Sequence, residues 1–408
     1  MRKILIPFVF ILLILTTQCK KKEESEPVRP ENNTEMVNRV FSLAQKQYKT
    51  LIRKIDTIKP LRQPRSLQKD GSLKMVIKED WTSGFFPGSL WYIYEYTKDN
   101  YWKKKAEMFT EALDSAQFVT SNHDVGFMIQ NSFGNGYRLT GNKKYKQAVI
   151  EAARSLSTRY RPIAGIIQSW DGDSPWLKER GWDMPVIIDN MMNLNLLYKA
   201  SKHTGDTSFA NKANNHGRTT IKNHYRKDYS CYHVVDYDHL TGKVRSKVNY
   251  QGYADNSSWA RGQAWGLYGF TEIYRETGNK EFLNQAIHIA EYIINNKKIP
   301  ADRIPYWDYD APDIPNAPRD ASAAAITASA LIELSGFSPE KEEKMLAYAI
   351  ETLKELSSED YLAKEGENGG FLLKHSVGNY HENNETDTPL NYADYYFLEA
   401  LLRWKNIK

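Results

Sequence analysis

The sequence predicts an all-α protein, an (α/α)6 toroid in which inner and outer helices alternate around a ring and long loops form its mouth. Three observations point there. A turn phrase recurs along the chain, the helices on its two sides differ in polarity, and three long aromatic loops all fall before apolar helices.

The phrase occupies residues 94–101, 138–145, 203–209 and 276–282, with a looser copy at 334–340. In each, a helix should end at a Gly or Asn able to take a left-handed cap, and a short polar turn should start the next helix. The recurrence every ~40–75 residues matches a helix pair with its loops. Helices before the turns are the more apolar, as in 193–198 and 265–274. Those after them carry more Lys and Glu, with an Ala in the body such as Ala106, Ala148 or Ala286. Five or six such pairs suit a closed ring; an open helical array is the alternative. The loops 169–184, 229–258 and 299–320 are rich in Trp, Tyr, Asp and Gly. The middle one should hold a hairpin around residues 237–242, and loops over a rigid scaffold are where function concentrates.

Asp189 stands out within 185–194, an apolar stretch that reads as a helix starting at Pro185. A lone carboxylate there is costly unless paired, hydrogen-bonded or protonated, so Asp189 is either a general acid or a structural cap. Asp124, 65 residues earlier, opens another apolar helix, about one helix pair before. Two carboxyls at adjacent inner-helix starts would converge at one mouth, as glycosidic chemistry requires. The helix dipole favours ionised Asp189, whereas burial and a second carboxylate oppose it, so a raised pKa is expected. Asp124 could instead be a simple N-cap. The densest polar and aromatic stretch is 251–266, where Arg261 and Trp265, four apart, share a helix face. They offer a carboxylate fork and a stacking surface, or else a core Trp beside an Arg paired with a structural Asp. Gly262 and Gly266 would permit close helix approach. His233 could touch ligand or brace the hairpin.

The chain has 408 residues, 26 Tyr, 10 Trp, 15 Phe and a formal charge of +5. Abundant aromatics permit glycan handling and equally build helical cores. Arg2 and Lys3, the apolar run 4–15 and Cys19 read as an export signal over 1–18 with a lipid-accepting Cys19. Residues 19–34 follow as a tether, and 35–408 as a single catalytic domain. Cys231 is then left without a partner for a disulfide. Removing Arg2 and Lys3 leaves +3, too little to argue for nucleic acid. Metal, nucleotide and α/β-hydrolase motifs do not appear.

Residues 81–88, 123–127, 187–190, 233–236, 251–265, 375–379 and 392–401 together resemble glycoside hydrolase family 88, the unsaturated glucuronyl hydrolases. The resemblance spans residue 35 to the C-terminus and implies an (α/α)6 barrel that needs no cofactor and no metal. It implies removal of a 4,5-unsaturated glucuronyl residue from the non-reducing end of polysaccharide-lyase products, from ulvan or glycosaminoglycans, by hydration of the C4–C5 double bond. Asp189 falls on the catalytic acid and Asp124 on the aspartate that tunes it. His233, Gln251, Arg261 and Trp265 fall on sugar contacts, and Trp81 and Trp170 on an aromatic subsite. The implied partners are an unsaturated oligosaccharide and, through Cys19, a bacterial membrane at its periplasmic or outer face. No obligate protein partner is implied. Rival readings are the sister family acting on unsaturated rhamnogalacturonan products, and a non-catalytic glycan-binding lipoprotein. A toroidal sugar epimerase would want paired His as acid and base, which the motifs do not supply.

Overall fold

The computed structural model describes residues 33–55, 57–171 and 175–407. The expected signal segment, Cys19 and nearly all of the tether lie outside the described residues. Asn33 and Thr34 already belong to the first helix, so the helical domain starts two residues before the expected boundary.

In chain order the helices are α1 (Asn33–Ile55), α2 (Phe85–Thr97), α3 (Asn100–Glu111), α4 (Val125–Ile129), α5 (Asn135–Thr140), α6 (Lys143–Ser157) and α7 (Pro175–Glu179). They continue as α8 (Leu194–Thr204), α9 (Thr207–His224), α10 (Ala260–Thr277), α11 (Lys280–Ile294), α12 (Ala321–Ser335), α13 (Glu342–Leu356) and α14 (Asn391–Lys405). A π-helical turn, Gln130–Gly134, joins α4 to α5 into one inner rod. The inner ring runs α2, α4–α5, α8, α10, α12 and α14, and α14 closes it by packing back on α2. Outside lie α3, α6, α9, α11, α13 and α1.

The recurrent phrase is a double cap. Gly141, Gly205 and Gly278 take the left-handed conformation that ends each inner helix, as glycine does without steric cost. Asn142, Asp206 and Asn279 then accept the Lys144, Ser208 and Glu281 amides at 2.8–3.0 Å, starting the outer helix. Two copies differ from expectation. At the first it is Lys98, not a Gly or Asn, that adopts positive φ, and at the fifth Gly336 stays right-handed.

Polarity separates the layers as expected. Every residue of α10 from Ala260 to Ile273 is buried, as is every residue of α14 from Asn391 to Leu402. The outer α6 buries one side, from Tyr145 through Ala148, Val149, Ile150, Ala152, Ala153 and Ser155 to Leu156, and leaves the rest half-buried or exposed. The sixth pair is assembled from the chain's two ends, α14 inside and α1 outside. Asp394 of α14 accepts the Leu372 and Leu373 amides at 2.9 Å each and the Tyr48 hydroxyl of α1 at 3.2 Å. Gln47 of α1 donates to the Glu367 and Phe371 carbonyls. Cys231 is buried, which pushes its thiol up to about 12.

The middle loop carries the expected hairpin, Val234–Tyr237 with Val244–Val248, and Gly242 at positive φ turns it. A third strand, Met184–Ile187, pairs antiparallel with Val234–Tyr237. This overturns the expected helix start at Pro185. Pro185 lies opposite Asp236, and all four residues are buried, with β-branched Val186 and Ile187 suited to a strand rather than a helical first turn. A second hairpin, Ser376–Asn379 with Asn384–Thr388, stands near the start of α12.

Candidate active site

Asp189 sits in a 3-10 turn, Ile188–Asn193, between the strand Met184–Ile187 and α8. The strand anchors it: the Ile188 amide donates to the His233 carbonyl at 3.0 Å, and the Ile187 amide to Ser169 Oγ at 2.9 Å. Asp124 holds the N-cap position of α4, but its side chain caps nothing. Each carboxyl instead faces a buried imidazole. His123 Nε2 lies 3.2 Å from Asp124 Oδ1, and His233 Nε2 lies 3.5 Å from Asp189 Oδ2. The second distance is a contact rather than a hydrogen bond. The Gln251 amide donates to His233 Nδ1 at 3.1 Å, so the neutral ring carries its proton on Nε2, toward Asp189.

One close approach brings the two acids into a single site. A Cβ on Gly126 would lie 2.7 Å from Asn193 Cα and 2.5 Å from its Oδ1. The Phe127 amide donates to that same Oδ1 at 2.7 Å. The first turn of α4 is thereby clamped to the end of the Asp189 turn. On the other side α10 presses on the same turn through glycines. A Cβ on Gly269 would meet Met191 at 2.5 Å; of the two glycines expected to permit close approach, one on Gly262 would meet Ile188 at 3.3 Å and one on Gly266 would overlap the Tyr225 hydroxyl.

Electrostatics depart from expectation at Asp189. Burial is the largest influence and favours the neutral acid, but His233, His123 and Arg261 together outweigh it and hold the carboxyl below its ordinary value. The expected rise omitted the two imidazoles, which only the fold brings together.

Arg261 is buried and mostly engaged. One terminal nitrogen donates to the Val377 carbonyl and faces Asp320 at 3.4 Å. The other donates to the Gly378 carbonyl at 2.6 Å and to Gln251 Oε1 at 3.0 Å. Only Nε lacks a partner. Of the two readings, a carboxylate fork or an Arg paired with a structural Asp, the structure fits the second: Arg261 is a clamp that ties α10 to the second hairpin and to Asp320, the N-cap of α12. Trp265 is fully buried against Phe127, Tyr392 and Tyr396, so it offers no open stacking face. It is one wall of a four-ring box with Phe127, Trp81 and Tyr392, whose neighbouring centroids lie 5.0–6.4 Å apart. Trp170 packs edge-on to His123 at 6.4 Å, at the rim.

Six buried polar atoms here make no hydrogen bond within the protein: Asp189 Oδ2, His233 Nε2, His123 Nε2, Trp265 Nε1, Arg261 Nε and the Tyr392 hydroxyl. Buried polar groups are normally satisfied, and a polar ligand seated between the two acids would complete these. The sequence reading missed His123 as the partner of Asp124, the box member Tyr392, and a rim of Trp176, Trp182, Tyr250 and Arg180. These rim residues have no periodic signal, because they lie on a loop helix and a strand end. A separate polar cavity of about 520 Å³ opens at the other end of the ring, lined among others by Gln130, Asn195, Glu272 and Arg403, and touches neither aspartate.

Gly126→Ala should lower turnover at least about tenfold by forcing the Asp124 and Asp189 turns apart, since sub-ångström misplacement of reacting groups is costly. Far-ultraviolet circular dichroism should remain native. Wild-type turnover in that variant would show that the clamp does not set the site.

Comparison with known proteins agrees with this geometry. Residues 51–396 match the family described as Glycosyl Hydrolase Family 88. An unsaturated glucuronyl hydrolase of Formosa agariphila is 41% identical over 409 residues, covering 100% of this chain and 99% of its own. A crystal structure of an unsaturated glucuronyl hydrolase specific for heparin superposes with a TM-score of 0.86 at 47% identity, over 91% of this chain and 98% of that one. The unsaturated glucuronyl hydrolase from Bacillus sp. GL1, responsible for degradation of glycosaminoglycan, gives 0.82 at 29% identity over 92% and 97%. With a closed six-pair ring and two aspartates clamped at its mouth, the chain belongs to Glycosyl Hydrolase Family 88.

Proposed function

We propose that this protein removes the 4,5-unsaturated glucuronyl residue from the non-reducing end of oligosaccharides made by polysaccharide lyases, with Asp189 as the acid. The observation that carries this is the pairing of Asp189 and Asp124 at one mouth, each against a buried imidazole and amid unpartnered polar atoms. Protonated Asp189 gives its proton to C4 of the enol ether. Water adds at C5 and returns a proton to the carboxylate, and the hemiketal opens to release the remaining sugar. Asp124, held by His123, hydrogen-bonds the sugar and places negative charge beside the acid. Trp81 and Trp170, the half-buried rings of the site, offer their faces to the sugar, and buried Phe127 and Tyr392 hold Trp81 in place. Glycosaminoglycan and ulvan products are the substrate classes we favour; both present the same unsaturated uronate.

Loss of the unsaturated-uronide absorbance with lyase-made disaccharides tests the reading. Asp189→Asn should lower the rate by about 10²–10⁴ with unchanged thermal melting; a fully active variant would sink the assignment.

The pH profile adds a sign. The protein's own groups hold Asp189 below the ordinary carboxylate range, whereas bound substrate brings its own carboxylate nearby and so raises the acid's pKa. The alkaline limb of kcat should therefore lie at higher pH than that of kcat/KM. Coincident limbs would show that substrate charge does not reach the acid.

We further propose export and lipid attachment at Cys19, on the basic, apolar and Cys order of residues 2–19. Metabolic labelling with a fatty-acid analogue should mark the wild type and not Cys19→Ala; equal labelling would refute it.

A further inference from the structure

The rim of the site carries a cation that the chemistry at Asp189 does not use. Arg180 follows α7, and its guanidinium lies over three aromatic rings: Tyr250 at 4.5 Å, Trp176 at 5.2 Å and Trp182 at 5.9 Å. Its terminal nitrogens donate to the Tyr250 hydroxyl at 3.0 Å and the Trp176 carbonyl at 2.8 Å. Among the described residues no carboxylate forms an ion pair with it, and only these two of its five N–H groups are engaged. Glu382 reaches the same Tyr250 hydroxyl at 3.4 Å, so it meets Arg180 only through the phenol.

The position of this cluster follows from ring contacts. Tyr250 is stacked on His233 at 6.1 Å and 12°, and His233 faces Asp189. Trp176 stacks on Tyr250 at 6.3 Å and touches Trp170 at 5.0 Å, which in turn borders His123. Two aromatic paths thus lead from the two acid–imidazole pairs to one exposed guanidinium. Aromatic faces bind the apolar faces of sugars, and a planar guanidinium binds sulfate or carboxylate with two N–H groups. Three rings fix the cation in place, so less side-chain freedom is lost when an anion arrives.

We propose that Arg180, with Trp176 and Tyr250, forms a subsite for the sugar released by the reaction, and that Arg180 selects for an anionic group on it. The proposal rests on the uronyl-hydrolase reading above. The anion is an O-sulfate on the released sugar or the carboxylate of the next uronate in a longer chain. Asp189 and the unsaturated uronate stay the same in every case.

The test compares three lyase-made substrates sharing the unsaturated uronate: an uncharged leaving sugar, an O-sulfated one, and an unsulfated tetrasaccharide. Wild type and Arg180→Ala are compared on kcat/KM with each. The variant should lose about tenfold or more on the sulfated disaccharide, or on the tetrasaccharide if the carboxylate is the anion, and stay within twofold on the uncharged disaccharide. Arg180→Lys should recover part of the loss, and the charged substrate's advantage in wild type should shrink as salt rises. Equal loss on all three substrates with a lowered melting temperature would show a structural role and overturn the proposal. So would unchanged rates on all three, or a wild type that prefers the uncharged disaccharide. Inactive wild type on every substrate would instead overturn the functional reading itself.

Discussion

The site depends on one contact, the seating of Gly126 against Asn193. A side chain at position 126 would overlap the Asn193 backbone, and the Phe127 amide already donates to Asn193 Oδ1. This joint fixes the first turn of one inner rod to the end of the turn that holds Asp189. Gly84 repeats the device one step around the ring, where a Cβ would lie 2.2 Å from the Phe127 carbonyl oxygen. Gly262 and Gly269 do so on the far side. The inner helices therefore meet backbone to side chain at the catalytic mouth, without bulky spacers. Close packing of this kind transmits small displacements, so acid geometry and ring packing are a single constraint.

Much of the ring was legible because its signals are local. Capping needs a few consecutive residues, and the pairs Gly141-Asn142, Gly205-Asp206 and Gly278-Asn279 carry both halves of the double cap in two positions. The hairpin at 237–242 was legible for the same reason. The sixth helix pair was not, because α1 and α14 come from opposite ends of the chain and share no turn. The strand at Met184–Ile187 was misread because its four buried residues look the same in a strand and in a buried helix; only the partner strand Val234–Tyr237 decides. The aspartates were found as carboxyls in apolar surroundings. Their imidazole partners belong to a different kind of information: His123 is adjacent in sequence, but His233 arrives from a strand 44 residues beyond Asp189. Arg261 and Trp265 share a helix face as read, and of the two readings left open the structure fits the buried Trp beside an Arg facing a structural Asp, Asp320. Sequence shows which faces coincide on a helix, not which neighbours cover them.

The two ends of the ring use charge differently. At the far end, Glu272 is buried and pushed up to about 7, against the pull of Arg275. Arg403 and Arg275 hold Glu333 there, and Glu399 gathers the hydroxyls of Tyr92, Tyr268 and Ser329. Those carboxylates accept many donors at once, the arrangement of a network that fixes helix ends. At the mouth with Asp189 the two carboxyls each face an imidazole instead, and Asp189 Oδ2 accepts no hydrogen bond. A structural network consumes its donors, whereas a site must leave some of them free for substrate. The mouth with Asp189 therefore suits the proposed chemistry, whereas the cavity at the other end touches neither aspartate.

In the proposed mechanism Asp189 has to be protonated before it can act, yet His233, His123 and Arg261 favour the carboxylate. The two requirements are reconciled if substrate itself changes the balance. A uronate entering above the aromatic box would put a second negative charge near Asp189 and displace water from around it. Both changes favour the neutral acid. His233 would then act as an orienting partner: its Nδ1 is held by the Gln251 amide, so Nε2–H stays aimed at Asp189 throughout. The same imidazole stacks on Tyr250, and the Arg180 guanidinium lies over that Tyr250 ring. Placement of the acid and reading of the released sugar thus share a single ring, and a change in Tyr250 would reach both.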